Sequence, residues 1–142
     1  MVCRAITATV LIFGVVGPAL ALCEGEPVAK DHFSHEHKVY HFNGDDPSMA
    51  TDELRLWKAS DGTQCFSLTT IGPNHHECDI SGPAAAGING ALEFEDKTCK
   101  LIFIRSADGV ILKVSPGWER LGVCPRQFHC GMHGVVESGT YK

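Results

Sequence analysis

Six cysteines behind an export-signal-like opening constrain this chain more than any other feature. Residues 1–21 combine Arg4, an apolar stretch over residues 5–16 and the small-x-small pattern Ala19-Leu20-Ala21, which is typical of a secretory signal peptide. We therefore expect cleavage after Ala21 and a periplasmic or secreted mature chain. In an oxidising compartment an even set of cysteines predicts disulfide bonds. That set is Cys23, Cys65, Cys78, Cys99, Cys124 and Cys130.

The sequence does not determine how these cysteines pair, because six of them allow many combinations. Cys124 and Cys130 flank a short segment containing Pro125 and could close a tight loop. Each bridge would stabilise the fold by about 2–4 kcal/mol, chiefly by restricting the unfolded chain. The pairing that we favour is Cys23–Cys65, Cys78–Cys99 and Cys124–Cys130.

Beyond the signal peptide the chain divides into two regions. Residues 22–50 are polar and irregular, which predicts a flexible lead-in. Residues 51–142 contain short alternating segments separated by turn signals such as Ser60-Asp61-Gly62 and Ala107-Asp108-Gly109. This pattern predicts a single all-β domain, a small antiparallel β-barrel or sandwich stapled by disulfides. A helix over residues 47–59 is the main alternative for the first segment, and we favour a strand there.

Charge and hydropathy narrow the class of partner. The chain has 12 lysines and arginines against 17 aspartates and glutamates, a formal net charge of −5. This mild acidity argues against a nucleic-acid surface. Since no second long apolar run follows residue 21, we expect no membrane span after signal removal. We expect a protein partner, and the oligomeric state stays open.

Histidines supply the main candidate for metal chemistry. His35, His37 and His41 would share one face of an extended segment, where neutral imidazoles could hold zinc or copper. The alternative is a solvated histidine-rich segment without a cofactor. His75 and His76 fall at a predicted hairpin tip, a position where binding residues often lie.

Signatures of common enzymes are missing from the sequence. It contains no G-x-S-x-G elbow, no H-E-x-x-H, no phosphate-cradling glycine loop, no dinucleotide fingerprint and no C-x-x-C pair. Isolated serines, histidines and aspartates do not define a nucleophile and its base. We therefore expect a binding protein and not an enzyme.

Three segments of the predicted β domain carry a resemblance to a known group of proteins: Cys78-Asp79-Ile80-Ser81-Gly82-Pro83-Ala84, Cys99-Lys100-Leu101-Ile102-Phe103 and Cys130-Gly131. They resemble the small bacterial periplasmic β-proteins that include the lysozyme inhibitors, over about residues 53–142. Those inhibitors insert a Ser-Gly-x-x-Tyr loop into the lysozyme cleft. Ser81-Gly82 matches the start of that motif, whereas Ala85 stands at the tyrosine position and the second motif, an aromatic residue followed by Thr-Lys-Gly, is absent.

The resemblance implies an exported inhibitor of c-type lysozyme that acts by occluding the enzyme's cleft, with Ser81 and Gly82 as binding residues. The net negative charge would then steer association with the cationic lysozyme. Two alternatives stay open: a periplasmic metal-binding protein that uses His35, His37 and His41, and a structural envelope protein without a ligand.

Overall fold

Strands that run up and down in chain order form the described part of the protein. A computed structural model describes Cys23, residues 31–96 and 99–116, Cys130, and residues 136–142. The predicted signal peptide and Cys124 lie outside these residues. The described strands are β1 (Asp31–Val39), β2 (Ser48–Lys58), β3 (Gln64–Ile71), β4 (Glu77–Ala86), β5 (Leu92–Asp96), β6 (Cys99–Ser106), β7 (Gly109–Pro116) and β8 (Gly139–Tyr141).

Each strand pairs with its sequence neighbour in antiparallel fashion, in the order β1 to β8. The long strand β4 joins the two halves, because it pairs with β3 up to Ala84 and then with β5 at Ala85 and Ala86. Two backbone hydrogen bonds link β1 to the end of β8: Ser34 N donates to Lys142 O at 2.9 Å, and Lys142 N donates to Ser34 O at 2.8 Å. The result is a nearly closed antiparallel barrel, which confirms the all-β prediction.

Alternation of apolar and polar residues explains why these segments form strands with one buried face. Along β2 the inward positions carry Leu54 and Leu56, and both side chains are fully buried. Phe66 on β3 lies at the centre of the core, with ring centroids 4.9 Å from both Phe94 and Phe103. Such aromatic contacts add specificity to the apolar burial that drives folding.

The prediction of a flexible lead-in over residues 22–50 is wrong for its described part. Residues 31–39 form β1, and β2 already begins at Ser48. In β1 the inward-facing positions carry Phe33 and Val39, with His35 and His37 between them. Because two of these four inward residues are imidazoles, the hydrophobic alternation that marks a strand is weak in the sequence.

Two disulfides join cysteines that the structure describes, and one of them corrects the predicted pairing. Cys23–Cys65 is confirmed, with Cα atoms 5.9 Å apart. Cys78 bonds to Cys130, so the predicted Cys78–Cys99 and Cys124–Cys130 pairs are wrong. The strand order gives the reason, since β5 separates β4 from the strand that begins at Cys99, whereas Cys130 lies beside Cys78 in an antiparallel bridge.

These disulfides are compatible with an oxidising, exported location. No helix among the described residues has the length and apolar character that crossing a membrane requires.

The turn before β7 depends on a glycine. Gly109 has φ +140°, and a Cβ there would lie 2.0 Å from the Tyr141 carbonyl oxygen on β8. We expect Gly109→Ala to lower the free energy of unfolding by about 2–4 kcal/mol, because β8 must move and the backbone is strained. Gly90→Ala is the control, since Gly90 has φ +76° but a Cβ there meets no described atom within 4 Å. That variant should lose about 1 kcal/mol. Equal losses in urea unfolding would contradict the close approach.

The disulfide pairing can be checked directly by peptide mapping. Mass spectrometry of a non-reduced digest of the oxidised protein should find one linked peptide pair containing Cys23 and Cys65, and another containing Cys78 and Cys130. Recovery of Cys78 linked to Cys99 would contradict the arrangement of β4 and β6.

Candidate binding site

A buried carboxylate occupies one end of the barrel interior. Asp52 on β2 is 7% exposed and continues the inward-facing row of Leu54 and Leu56. Its Oδ1 accepts hydrogen bonds from His37 Nε2 at 3.0 Å and from Ile71 N at 2.8 Å. A buried charge is tolerated only with such partners, so this carboxylate is built into the fold.

Asp52 accepts from the Ile71 backbone N–H because the pairing of β2 with β3 ends nearby. Pairing between β2 and β3 extends to Glu53 opposite Thr69. Just beyond it, Ile71 N–H donates to the Asp52 side chain. The carboxylate therefore satisfies a main-chain donor where the ladder stops.

Tyr141 on β8 is the third partner of the Asp52 carboxylate. Its hydroxyl lies 3.5 Å from Asp52 Oδ2, and the side chain is buried. Burial raises the pKa of the Tyr141 phenol well above its ordinary value, and the negative charge and hydrogen bond of Asp52 raise it further. The phenol thus stays protonated and donates to the carboxylate.

Two histidines of β1 stand beside Asp52 with their tautomers set by their partners. The rings of His35 and His37 are stacked, with centroids 5.6 Å apart and planes 10° from parallel. His35 Nδ1 lies 3.0 Å from Thr140 O, a carbonyl that can only accept, so Nδ1 carries the proton and Nε2 is the acceptor of the neutral ring. His37 Nε2 donates to Asp52 by the same reasoning, which leaves Nδ1 as its acceptor.

A pocket opens beside this network, between the second half of β1 and the segment that precedes β8. Its volume is about 240 Å³, and we call it the seam pocket. Its polar lining comprises His35, His37, Lys38, Asp52, Glu137 and Ser138. Its remaining wall comprises Val39, Tyr40, Ile71, Gly72 and Pro73.

Two connections border the seam pocket and are tied to each other. Asn74, in the connection over residues 72–76, donates its backbone N–H to Tyr40 O at 3.1 Å. Its side-chain Oδ1 accepts from Phe42 N at 2.9 Å, so the connection over residues 40–47 is held in place. The Tyr40 and Phe42 side chains are 65% and 64% exposed. We call residues 40–47 and 72–76 together the recognition end.

A serine–histidine cluster adds a third link within the recognition end. Ser48 Oγ lies 3.0 Å from His41 Nε2 and 2.8 Å from His75 Nε2. The two imidazole centroids are 5.5 Å apart. Because His41 and His75 belong to different connections, Ser48 holds both at the start of β2.

The structure separates the predicted binding residues. His75 and His76 lie in the connection between β3 and β4, beside the seam pocket. Ser81 and Gly82 lie within β4 instead of a loop, opposite Ser67 and Phe66 of β3, and neither lines the seam pocket. Ser81 is exposed on the outer face of the barrel.

The predicted set of three metal-binding histidines is not assembled. His35 and His37 stack on β1, whereas His41 turns to Ser48. Within the part of the chain that the structure describes, no three His, Cys, Asp or Glu side chains are placed to hold one metal ion. The prediction of a shared face was right for two residues only, because β1 ends at Val39.

Sequence reasoning did not identify Asp52, Tyr141 or Glu137. A signal for Asp52 was present, because it is a carboxylate at an inward-facing position of a strand whose other inward residues are leucines. Tyr141 and Glu137 join the site only through barrel closure, which local sequence does not reveal.

Comparison with known proteins adds no family assignment. No family model, curated protein or solved structure matches the chain.

The structural weight of Asp52 can be measured by a matched pair of substitutions. We expect Asp52→Ala to reduce the free energy of unfolding by about 2–4 kcal/mol, because the His37 and Ile71 donors lose their buried acceptor. Asp79→Ala is the control, since Asp79 is an exposed carboxylate that accepts only from Thr69 Oγ1 among the bonds described. It should cost about 0.5 kcal/mol or less. Similar denaturation midpoints for the two variants would show that the Asp52 network is dispensable.

Proposed function

We propose that this chain is an exported β-barrel binding protein that holds its ligand in the seam pocket and at the recognition end beside it. The observation that carries this proposal is a cavity of about 240 Å³ whose lining includes a buried, hydrogen-bonded carboxylate. A concave site with a few fixed polar groups and an apolar wall is the usual form of a ligand site.

Export is supported by two independent features. The first 21 residues have the pattern of a secretory signal, and the described cysteines form disulfides. Disulfides and a hydrogen-bonded barrel hold the described binding groups in place, so little entropy is lost on association. A periplasmic or secreted location fits this design.

Binding without catalysis is supported by how the reactive groups are distributed. The hydroxyl of Ser48 contacts the imidazoles of His41 and His75, but the described hydrogen bonds join neither ring to a carboxylate. The buried carboxylate Asp52 pairs with the imidazole of His37, and it also serves as a backbone acceptor. A nucleophile, a base and an orienting group in one line, as acyl-transfer catalysis requires, are thus not combined in the described residues.

Inhibition of c-type lysozyme is the specific form of binding that we propose. The net charge of −5 favours association with a cationic enzyme. The recognition end supplies exposed Tyr40 and Phe42, and aromatic side chains are the commonest anchors of protein interfaces. Since Ser81 lies on the flat outer face of β4, we assign cleft occlusion to the recognition end and at most a flanking contact to Ser81.

Lysis of a bacterial cell-wall suspension by c-type lysozyme tests this assignment. We expect the oxidised protein at micromolar concentration to slow the loss of turbidity. The double variant Tyr40→Ser/Phe42→Ser should weaken inhibition at least tenfold, because two interface anchors are lost. Ile88→Ser is the control, since Ile88 is an even more exposed apolar residue in the separate connection between β4 and β5.

Three outcomes of this assay are informative. Unchanged inhibition by the double variant, together with loss on Ser81→Ala, would move the contact to β4. Equal losses in the double variant and in Ile88→Ser would point to non-specific adhesion. No inhibition by the unmodified protein at micromolar excess would remove lysozyme as the partner.

A further inference from the structure

We propose that the seam pocket binds a cation of the ammonium or guanidinium class carried on an aliphatic stem. This inference rests on the proposed binding function and names the chemistry of the group that enters the pocket. The hydrogen-bonding groups, the charges and the apolar wall of the pocket support it.

The hydrogen-bonding groups that line the pocket are predominantly acceptors. In the neutral histidines, Nε2 of His35 and Nδ1 of His37 carry lone pairs, because their other nitrogens donate to Thr140 O and to Asp52. Asp52 and Glu137 contribute carboxylate oxygens to the same lining. A ligand that satisfies this set must bring several donors, as ammonium and guanidinium groups do.

The charges of the lining select the same class of ligand. Asp52 and Glu137 are acidic, whereas Lys38 is the one lysine or arginine among the lining residues and is exposed on β1. Electrostatic attraction is stronger in a partly enclosed site than in bulk water, so a cation gains most beside the buried Asp52. An anionic ligand would meet two carboxylates and be rejected.

The remaining wall accommodates the stem of such a ligand. Val39 is buried, and Ile71, Pro73 and the exposed Tyr40 complete this part of the lining. Methylene chains of lysine-like and arginine-like groups bury along surfaces of this kind while their charged ends reach polar groups. The aromatic ring of Tyr40 adds a surface to which cations are attracted.

Two sources could supply this chemistry: a free small amine, or a lysine or arginine side chain presented by a basic protein partner. Both place the same group against the same acceptors. Competition with lysozyme separates the two sources.

Calorimetric titration of the oxidised mature chain tests the ligand class with defined probes. n-Pentylammonium and Nα-acetyl-arginine amide are the cationic probes, n-pentanol supplies the same stem without charge, and pentanoate reverses the charge. We expect both cations to bind saturably and at least tenfold more tightly than n-pentanol, and pentanoate not to bind. Equal affinity for n-pentylammonium and n-pentanol, or binding of pentanoate alone, would overturn the proposal.

A matched pair of carboxylate variants locates the binding. Glu137→Gln removes one charge from an exposed lining residue without disturbing the barrel, and we expect n-pentylammonium to bind it at least fivefold more weakly. Glu95→Gln is the control, since Glu95 is an exposed carboxylate of β5 outside the pocket. Equal affinities of the two variants would place any binding elsewhere and overturn the proposal. His37→Gln offers a second variant that changes an acceptor while the carboxylates stay.

Competition with lysozyme identifies the source of the cation. Displacement of lysozyme by n-pentylammonium would support a basic side chain of the partner as the occupant. Binding of n-pentylammonium with no effect on lysozyme, or with no lysozyme inhibition at all, would support a free amine and leave the ligand class intact. Lysozyme inhibition without any binding of the cationic probes would overturn the ligand class while leaving the proposed function standing.

Discussion

The hydrogen-bonded carboxylate of Asp52 is the interaction on which the open end of this barrel depends. It joins β2 to β1 through His37, to β3 through Ile71 N and to β8 through Tyr141. A leucine there would continue the apolar row of β2, but it would leave three donors without an acceptor. Burial of a charge is expensive, and its cost is offset only while all three partners are held in place. The network therefore fixes the relative positions of β1, β2, β3 and β8 and opposes slippage between them.

The barrel is incompletely closed beside the Asp52 network. Ser34 and Lys142 exchange two backbone hydrogen bonds, and His35 adds a side-chain bond to Thr140 O, but β8 ends its described pairing within three residues. The second half of β1 therefore pairs with β2 along one edge and borders the seam pocket along the other. Polar side chains on the inward face at this point have hydrogen-bonding partners. The same gap thus places the buried carboxylate of Asp52 in the lining of a pocket.

Local patterns in the sequence were sufficient for the class of fold and for most strands. Val110, Leu112 and Val114 alternate so regularly that β7 is readable without a structure. β1 was not readable, because imidazoles replace aliphatic residues on its inward face and its neighbours in space follow later in the chain. The Cys78–Cys130 bond and the presence of Glu137 and Asp52 in the lining of one pocket are likewise consequences of strand order. Contacts across about 50 or more residues follow from topology, which periodicity alone does not encode.

Histidine placement shows how one composition can serve two different purposes. His35 and His37 each have one ring nitrogen bonded, to a carbonyl and to a carboxylate, and both side chains line the seam pocket. His41 and His75 instead hold two connections to Ser48. A histidine-rich segment therefore need not gather around a metal, since each ring can be oriented by a different neighbour. In this barrel the first pair shapes the chemistry of the seam pocket, and the second pair fixes the shape of the surface that surrounds its mouth.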